Sequence, residues 1–502
     1  MTVRDVRLAR SHSGPRLADG PRVADGPGLA DGQSAGAEDR FRVADAVDEL
    51  CQQMTDLCAS AVDSLEIAAT LEAEVGLTSK TVRARYGFTD VFSLAEEMHR
   101  RTILRPAEPE PGPDPWRASP ALHVAHGLLY ALPAVSYAAA APSLAGANVP
   151  VVLAAGVLIS WALSQGMAYL GYARLSRADP GGAARLLRCA LAASVLVLLA
   201  GLGATALVSP MAAPVFLVAA AQGVYLLGAT VLLVMRARWW LLCALAPGMV
   251  LGAAYVLAGA PATLAGLGWL PLAVCALTAG VLAVVRTARA GSSTGPIVAG
   301  SELRGALPHA LFGLLAASLL VFPVVGGGVG HAPMVPVAAL LSLPLSLSMG
   351  AAEWCLYWYR RRVHRLLESS DTVERFASRA RRALLGAAAR YLAGVTLLIA
   401  ATLPVAAATL ISLDDAVLWA CASYIALGCA LFVALLLQTA LTGAFTLMAC
   451  AAALGVEVVL VLDPPLGWGW GVISAQLLAC SVLFIGLLAR GQRLLSQVVA
   501  HT

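Results

Sequence analysis

Two acidic residues, Glu353 and Glu457, lie inside long apolar runs of this chain. A carboxylate in hydrocarbon is costly, so each is a candidate proton or sodium site. Glu353 falls about five residues from the arginine-rich end of its run, and Glu457 about six residues from the opposite end of its own. By helix rise that separates them by roughly 15 Å along a membrane normal, so they are not a carboxylate pair. Three histidines join them. His123 and His126 share one helix face, and His309 stands in a later run. Neutral imidazoles hydrogen-bond across helices and titrating ones sense pH; packing near the membrane interface is the plainer use.

Gln165, Gln222, Tyr225, Tyr424, Gln438, Ser474 and Gln476 add neutral donors and acceptors along several runs. They suit a hydroxyl-rich cargo, although small polar groups also hold membrane helices together. Pro133, Pro323, Pro344 and Pro404 free backbone carbonyls and allow bends. The sequence has no nucleophile–base set, zinc-ligand spacing or phosphate-cradling loop. The reading is therefore a non-enzyme with no cofactor and no metal. Eight of the ten cysteines sit in apolar runs without ligand spacing, and Cys51 and Cys58 share a helix face as a reduced pair.

The elements that position these groups follow from composition. Of the 502 residues, 59% are apolar and 13% charged, against about 25% charged in a soluble domain. Mean hydropathy is +0.77. Residues 1–39 repeat Leu-Ala-Asp-Gly or Val-Ala-Asp-Gly three times; they cannot bury a core and read as a disordered tail without a signal peptide. Residues 40–104 have helical periodicity but no membrane-length run. Residues 105–118 form a proline-rich linker, with five prolines between Pro106 and Pro115.

Twelve spans follow, near 119–142, 148–172, 186–208, 211–235, 239–259, 263–285, 305–327, 334–358, 384–411, 416–437, 440–462 and 467–489. The expected fold class is all-α: twelve transmembrane helices as two six-helix lobes (119–290 and 305–489) in parallel pseudo-repeat. An inter-lobe loop (291–304) joins them and a tail (490–502) follows. Arginines cluster on alternate loops, at Arg174, Arg177, Arg185, Arg188, Arg236, Arg238, Arg286, Arg289, Arg304 and Arg360 to Arg362. The opposite loops have no Arg or Lys, only His331, Asp414, Asp415 and Asp463. This asymmetry assigns both termini to the cytoplasm of a multi-pass cell-membrane protein. Arg174, Arg177, Arg361 and Arg362 are candidate contacts to lipid headgroups or linker anchors. Trp468-Gly469-Trp470 reads as an interfacial anchor.

The two halves repeat. His123 matches His309, Gly127 matches Gly313, and Leu163-Ser164-Gln165-Gly166 matches Leu347-Ser348-Met349-Gly350. Further on, Leu251-Gly252 matches Leu454-Gly455, and Gly268-Trp269 matches Gly469-Trp470. The offset runs from 184 to 203 residues in constant order. Six spans per half predict lobes related by an axis along the membrane normal, with a cleft between them.

On two six-helix lobes, the Ser164-Gln165-Gly166 helix and the linker Ala-Asp-Pro-Gly-Gly-Ala-Ala-Arg (178–185), the membrane part resembles a transporter group. That group is the multidrug/oligosaccharidyl-lipid/polysaccharide exporter superfamily, with its MATE-type exporters and lipid-linked oligosaccharide flippases. The glycine- and arginine-containing motif typical of the major facilitator group is absent between spans two and three. The resemblance implies alternating access for an amphiphilic cargo, a lipid-linked saccharide or a drug-like molecule. Its pathway would include Glu457, Glu353, Gln165, Gln222, Tyr225, His123, His309 and Gln476. The alternative is a membrane-tethered regulator or scaffold.

That alternative rests on residues 71–87, Leu-Glu-Ala-Glu-Val-Gly-Leu-Thr-Ser-Lys-Thr-Val-Arg-Ala-Arg-Tyr-Gly, which resemble the helix-turn-helix of the TetR group. Thr78 would cap the second helix, and Thr81, Arg83 and Arg85 would face a major groove. Arg83 replaces that family's usual tyrosine. Residues 40–105 hold eight basic against eleven acidic residues, which disfavours DNA and favours a protein partner. Membrane lipid is the remaining expected partner.

Overall fold

The computed structural model describes residues 46–61, 63–73, 75–101, 120–141, 144, 148–209, 212–259, 266–290, 298–326, 334–370, 372–409, 415–438, 443–462 and 471–497. The expected tail, proline linker and Trp468–Trp470 anchor lie outside them. The chain divides into two units, Met1–Pro115 and Trp116–Thr502.

The first unit is a small helical domain: residues 46–53 (α1), Thr55–Ser60 (α2), Ser64–Ala73 (α3), Ser79–Tyr86 (α4) and Val91–Arg101 (α5). Thr78 caps α4 as its sequence predicts: the hydroxyl oxygen accepts the Thr81 N–H at 3.4 Å. Gly76 and Gly87 take left-handed φ of 68° and 72° before and after α4, angles an L side chain resists. Val47, Leu50, Cys58, Ile67, Leu71, Val82, Tyr86, Leu94 and Met98 form the core. Arg101 ties α5 to α1 through Asp48 at 2.9 Å, and Arg100 and Arg101 both bind Glu97. These arginines hold the Glu97 carboxyl below its usual range, chiefly through the Arg100 hydrogen bond. Cys51 and Cys58 are free thiols, and burial pushes Cys51 up to about 11.

In the second unit, lobe 1 comprises α6 (Pro120–Ala131), α7 (Ala134–Ala140), α8 (Val149–Ser176), α9 (Pro180–Val208), α10 (Ala213–Val234), α11 (Arg238–Leu257) and α12 (Leu270–Arg289). Lobe 2 comprises α13 (Gly300–Gly326), α14 (Met334–Ser369), α15 (Val373–Thr409), α16 (Asp415–Gln438), α17 (Gly443–Leu462) and α18 (Val472–Leu494). Among the described residues, ten of these helices are long and apolar enough to cross a bilayer. They correspond to all the expected spans but the first and the eighth. The first is divided: α6 stops at Ala131 and Pro133 caps the short α7, because proline lacks the N–H needed to continue the ladder. The eighth lies in α14, a single helix of 36 residues.

Each lobe has its own core. Leu187, Leu198, Val218, Leu227, Leu232 and Leu272 are among the buried residues of lobe 1. Leu384, Val395, Leu427, Val433, Leu437 and Leu487 play that part in lobe 2. The α8–α9 turn is written into the sequence. Asp179 accepts the Gly182 N–H at 2.8 Å, and Pro180 opens α9 with φ already set for a helix.

Candidate functional site

The first helix of each lobe lies against the second helix of the other: α6 packs on α14 and α13 on α8. Glycines make both approaches possible. A β-carbon on Gly127 would stand 2.7 Å from the Leu347 carbonyl oxygen, and one on Gly350 would collide with the His123 carbonyl. At the other crossing, a β-carbon on Gly313 would lie 2.8 Å from both the Trp161 carbonyl oxygen and Gln165 Cγ. One on Gly166 would meet only Ala310 Cβ at 3.5 Å, an ordinary contact. These four glycines are among those that the internal repeat aligns. Small residues let helix backbones approach where lipid supplies no hydrophobic drive.

Beside each crossing, toward the arginine-rich ends, sits a matched side-chain pair. His123 precedes Gly127 by one turn and Glu353 follows Gly350 by one turn; His123 Nδ1 lies 3.6 Å from Glu353 Oε2. The imidazole is buried and also stands 5.2 Å from the Tyr357 ring. At the second crossing, His309 precedes Gly313 and Tyr169 follows Gly166 at the same spacings. Their rings stack at 4.5 Å and 19°. One crossing therefore carries a titratable pair and the other an aromatic pair. Tyr169 went unrecognised in the sequence, although the 184-residue offset sets it opposite Glu353.

The α8–α13 contact continues into a charged cluster. Arg174 Nε reaches Glu302 Oε1 at 2.7 Å, and Arg177 reaches the same oxygen at 2.6 Å. The Glu302 side chain is only 3% exposed, and its Oε2 also accepts the Ala299 N–H at 3.1 Å. Arg174 further contacts Asp179 at 3.4 Å. In the sequence both arginines read as headgroup contacts or linker anchors, and Glu302, more than a hundred residues away in the chain, gave no signal beside them. The structure gives both a carboxylate partner.

Glu457 lies elsewhere, inside lobe 2, fully buried. Cys480 donates its thiol to Glu457 Oε1 at 3.6 Å, while Oε2 has no hydrogen-bond partner among the described residues. One turn before Cys480 on α18, Gln476 donates to the Leu319 carbonyl of α13 at 2.9 Å and accepts from Ser423 of α16 at 2.8 Å. Four helices thus enclose a small polar interior around one carboxylate. In lobe 1 the comparable interior is neutral: Ser136 and Cys275 lie 3.6 Å apart, and the thiol reaches the Leu245 carbonyl at 3.7 Å.

The expected pathway residues thus separate into four places. His123 and Glu353 meet at one crossing, and Gln165 and His309 flank the other. Glu457 and Gln476 lie within lobe 2, and Gln222 (half-buried) and Tyr225 (buried) lie on α10 of lobe 1. The His126 side chain lies outside the described residues. Arg361 is half-buried and Arg362 exposed. In the first unit Thr81, Arg83 and Arg85 are all exposed on α4. Arg83 donates to the Thr89 carbonyl at 3.3 Å and Arg85 lies over Tyr86.

Among the described residues, no group of three His, Cys, Asp or Glu side chains is placed to hold a metal ion. With ten membrane-length apolar helices arranged as two lobes, the chain is a multi-pass helical membrane protein. No protein-family model and no curated protein matches it. Solved structures of MATE in complex with MaD3S and with MaL6 are similar to it. Each has 15% identity over 76% of this chain and 98% of theirs, with TM-scores of 0.48 and 0.47. A MOP superfamily transporter from Pyrococcus furiosus, described by a binding pocket of reverse polarity, has 14% identity over 76% of this chain and 97% of its own, with a TM-score of 0.45.

Proposed function

We propose that this protein is a transporter that moves an amphiphilic cargo by alternating access between its two lobes. A lipid-linked saccharide or a drug-like molecule fits the shortage of charge in the spans. The observation that carries the proposal is the pair of glycine-based crossings related by the internal repeat. Two lobes that meet through close backbone approaches, each with its own core, can rock without repacking those cores, which anchoring alone does not require. In this reading Glu457 is the coupling site for a proton, being the one fully buried carboxylate with an unpartnered oxygen among the described residues. His123 with Glu353, Gln165, His309, Gln222, Tyr225 and Gln476 border the route or its hinges. The arginine-rich loops and both termini face the cytoplasm. The α3–α4 helix pair is a docking module for a protein rather than for DNA, on the acidic balance of residues 40–105.

The test is a proteoliposome assay of the full chain with a labelled polyprenyl-linked saccharide and with a cationic drug, each with and without a proton gradient. Wild type is expected to move one of them under the gradient, and Glu457→Gln to abolish gradient-driven movement while melting like wild type. Movement of neither cargo by folded wild-type protein would overturn the transport reading.

A further inference from the structure

The repeat offset steps from 184 to 203 residues between the second and fifth spans, and the structure locates the insertion. Beyond its crossing glycine, α8 runs 10 residues to Ser176, whereas α14 runs 19 to Ser369. The next helix of lobe 2, α15, has 37 residues against 29 for α9. By the two offsets, residues 361–382 replace the three-residue turn 177–179, and the difference of nineteen residues is the step itself. Lobe 2 thus carries a helical hairpin that lobe 1 lacks, projecting about 13 Å beyond the level of Ser176 at 1.5 Å per residue. Val363, Leu366, Phe376 and Ala380 are buried and continuous with the lobe 2 core, so the hairpin is built onto the lobe.

Its charge is graded along its length. Arg361, Arg362 and Arg365 leave the membrane helix within the first five residues, and Arg379, Arg381 and Arg382 return in the last four. The hairpin's acidic residues, Glu368, Asp371 and Glu374, all fall in the sequence between Leu366 and Phe376, with a single arginine, Arg375, among them. Arg362, Arg379, Arg381 and Arg382 are exposed, and none of these four has a carboxylate partner among the described residues. This differs from Arg174 and Arg177 at the equivalent level of lobe 1, which both pair with Glu302. The arginines at the hairpin base lie within about 7 Å of the apolar part of the helices, the thickness of one headgroup layer. The sequence that joins α14 to α15 is net negative, which disfavours an acidic protein there. Lipid phosphates meet the basic end.

We propose that the base of the 361–382 hairpin on lobe 2 is a binding surface for anionic phospholipid headgroups, formed by Arg362, Arg379, Arg381 and Arg382. The exposed guanidiniums present forked donors that phosphate oxygens accept. The attraction acts on lobe 2 through the hairpin base, whereas Arg174 and Arg177 of lobe 1 are engaged by Glu302 of α13 across the lobe contact. The inference is independent of any cargo.

The experiment reconstitutes the full chain in bilayers of phosphatidylcholine with spin-labelled phosphatidylglycerol or spin-labelled phosphatidylcholine, and measures the motionally restricted fraction of each. Wild type is expected to prefer phosphatidylglycerol about fivefold, with the preference falling as salt rises from about 20 to about 300 mM, which shortens the Debye length roughly fourfold. The variant Arg362→Gln/Arg379→Gln/Arg381→Gln/Arg382→Gln is expected to bring the ratio close to one, and the corresponding four-lysine variant to retain most of it. Equal association of both lipids with wild type, or a preference that survives the glutamine variant, would overturn the proposal. So would a cysteine placed in the hairpin cross-linking to a protein in native membranes with no lipid preference, an outcome that would assign the surface to an acidic protein. Should the glutamine variant fail to fold, the two double variants Arg362→Gln/Arg379→Gln and Arg381→Gln/Arg382→Gln decide: each is expected to lower the ratio, and an unchanged ratio in both would overturn the proposal.

Discussion

The two places where the lobes cross share one plan and differ in what it holds. At each, a histidine one turn before a glycine on the first helix of one lobe faces a residue one turn after a glycine on the second helix of the other. At the α6–α14 crossing that residue is Glu353, 3.6 Å from His123; at the α8–α13 crossing it is Tyr169, stacked on His309 at 4.5 Å. The backbone requirement is common to both, because two helices cannot approach this closely with β-carbons between them. The side chains beside it were free to diverge. The α8–α13 contact further has a buried ionic cluster through Glu302 that the α6–α14 crossing lacks among the described residues.

The sharpest way to break this comparison is to add a methyl group at equivalent positions. Gly350→Ala drives a β-carbon into the His123 carbonyl and is expected to cost about 3 kcal/mol. Gly166→Ala meets only van der Waals contact and should be neutral or stabilising by up to about 1 kcal/mol, since alanine favours the helix. Thermal melts of both variants in detergent test the pair. Equal effects would mean that the two crossings are equally tight.

Next in size, Glu302→Gln removes the charge that Arg174 and Arg177 share and leaves Arg174 largely buried. A loss of about 2 kcal/mol is expected, read as a lower melting temperature, while Glu353→Gln at the other crossing changes it by less. Exchanging the divergent residue is gentler still. Glu353→Tyr gives the α6–α14 crossing the aromatic partner already accommodated at α8–α13, and stability should stay within about 1 kcal/mol. If the ionisable pair serves transport, flux falls while the melt holds, and retention of both would show that the divergence is neutral.

The smallest effect lies outside the lobes and serves as a control. The carboxyl of Glu97 is held below its ordinary range by Arg100 and Arg101. The stabilisation from this depressed group is fully present above the unfolded glutamate value of about 4.3. It is lost as pH falls through the lower folded value. Limited proteolysis of the first unit in the intact chain should quicken modestly from pH 5 to pH 3, by less than about 1 kcal/mol in stability. Glu97→Gln should flatten that dependence and leave both crossings unchanged.

Much of this architecture was legible in the residues themselves. Apolar runs of membrane length, arginines on alternate loops and a proline-set turn at Asp179-Pro180 act locally, so the helices and their order could be read directly. The repeat even aligned the four glycines of the crossings, three of which a β-carbon would force into the facing helix. The break at Pro133 shows the limit of hydropathy: a run can be apolar enough to span and still be interrupted where one backbone donor is missing.

Partners were what sequence could not supply. Glu302 joins Arg174 and Arg177 across 125 to 128 positions, and Glu457 finds Cys480 across 23. Nothing in a one-dimensional pattern distinguishes an arginine that meets a carboxylate from one left for a lipid. Helix formation and membrane residence depend on neighbours along the chain and on total apolar area, which composition and period determine. Which charge is neutralised, and by what, depends on how two separately folded lobes face each other, and only the tertiary packing decided that.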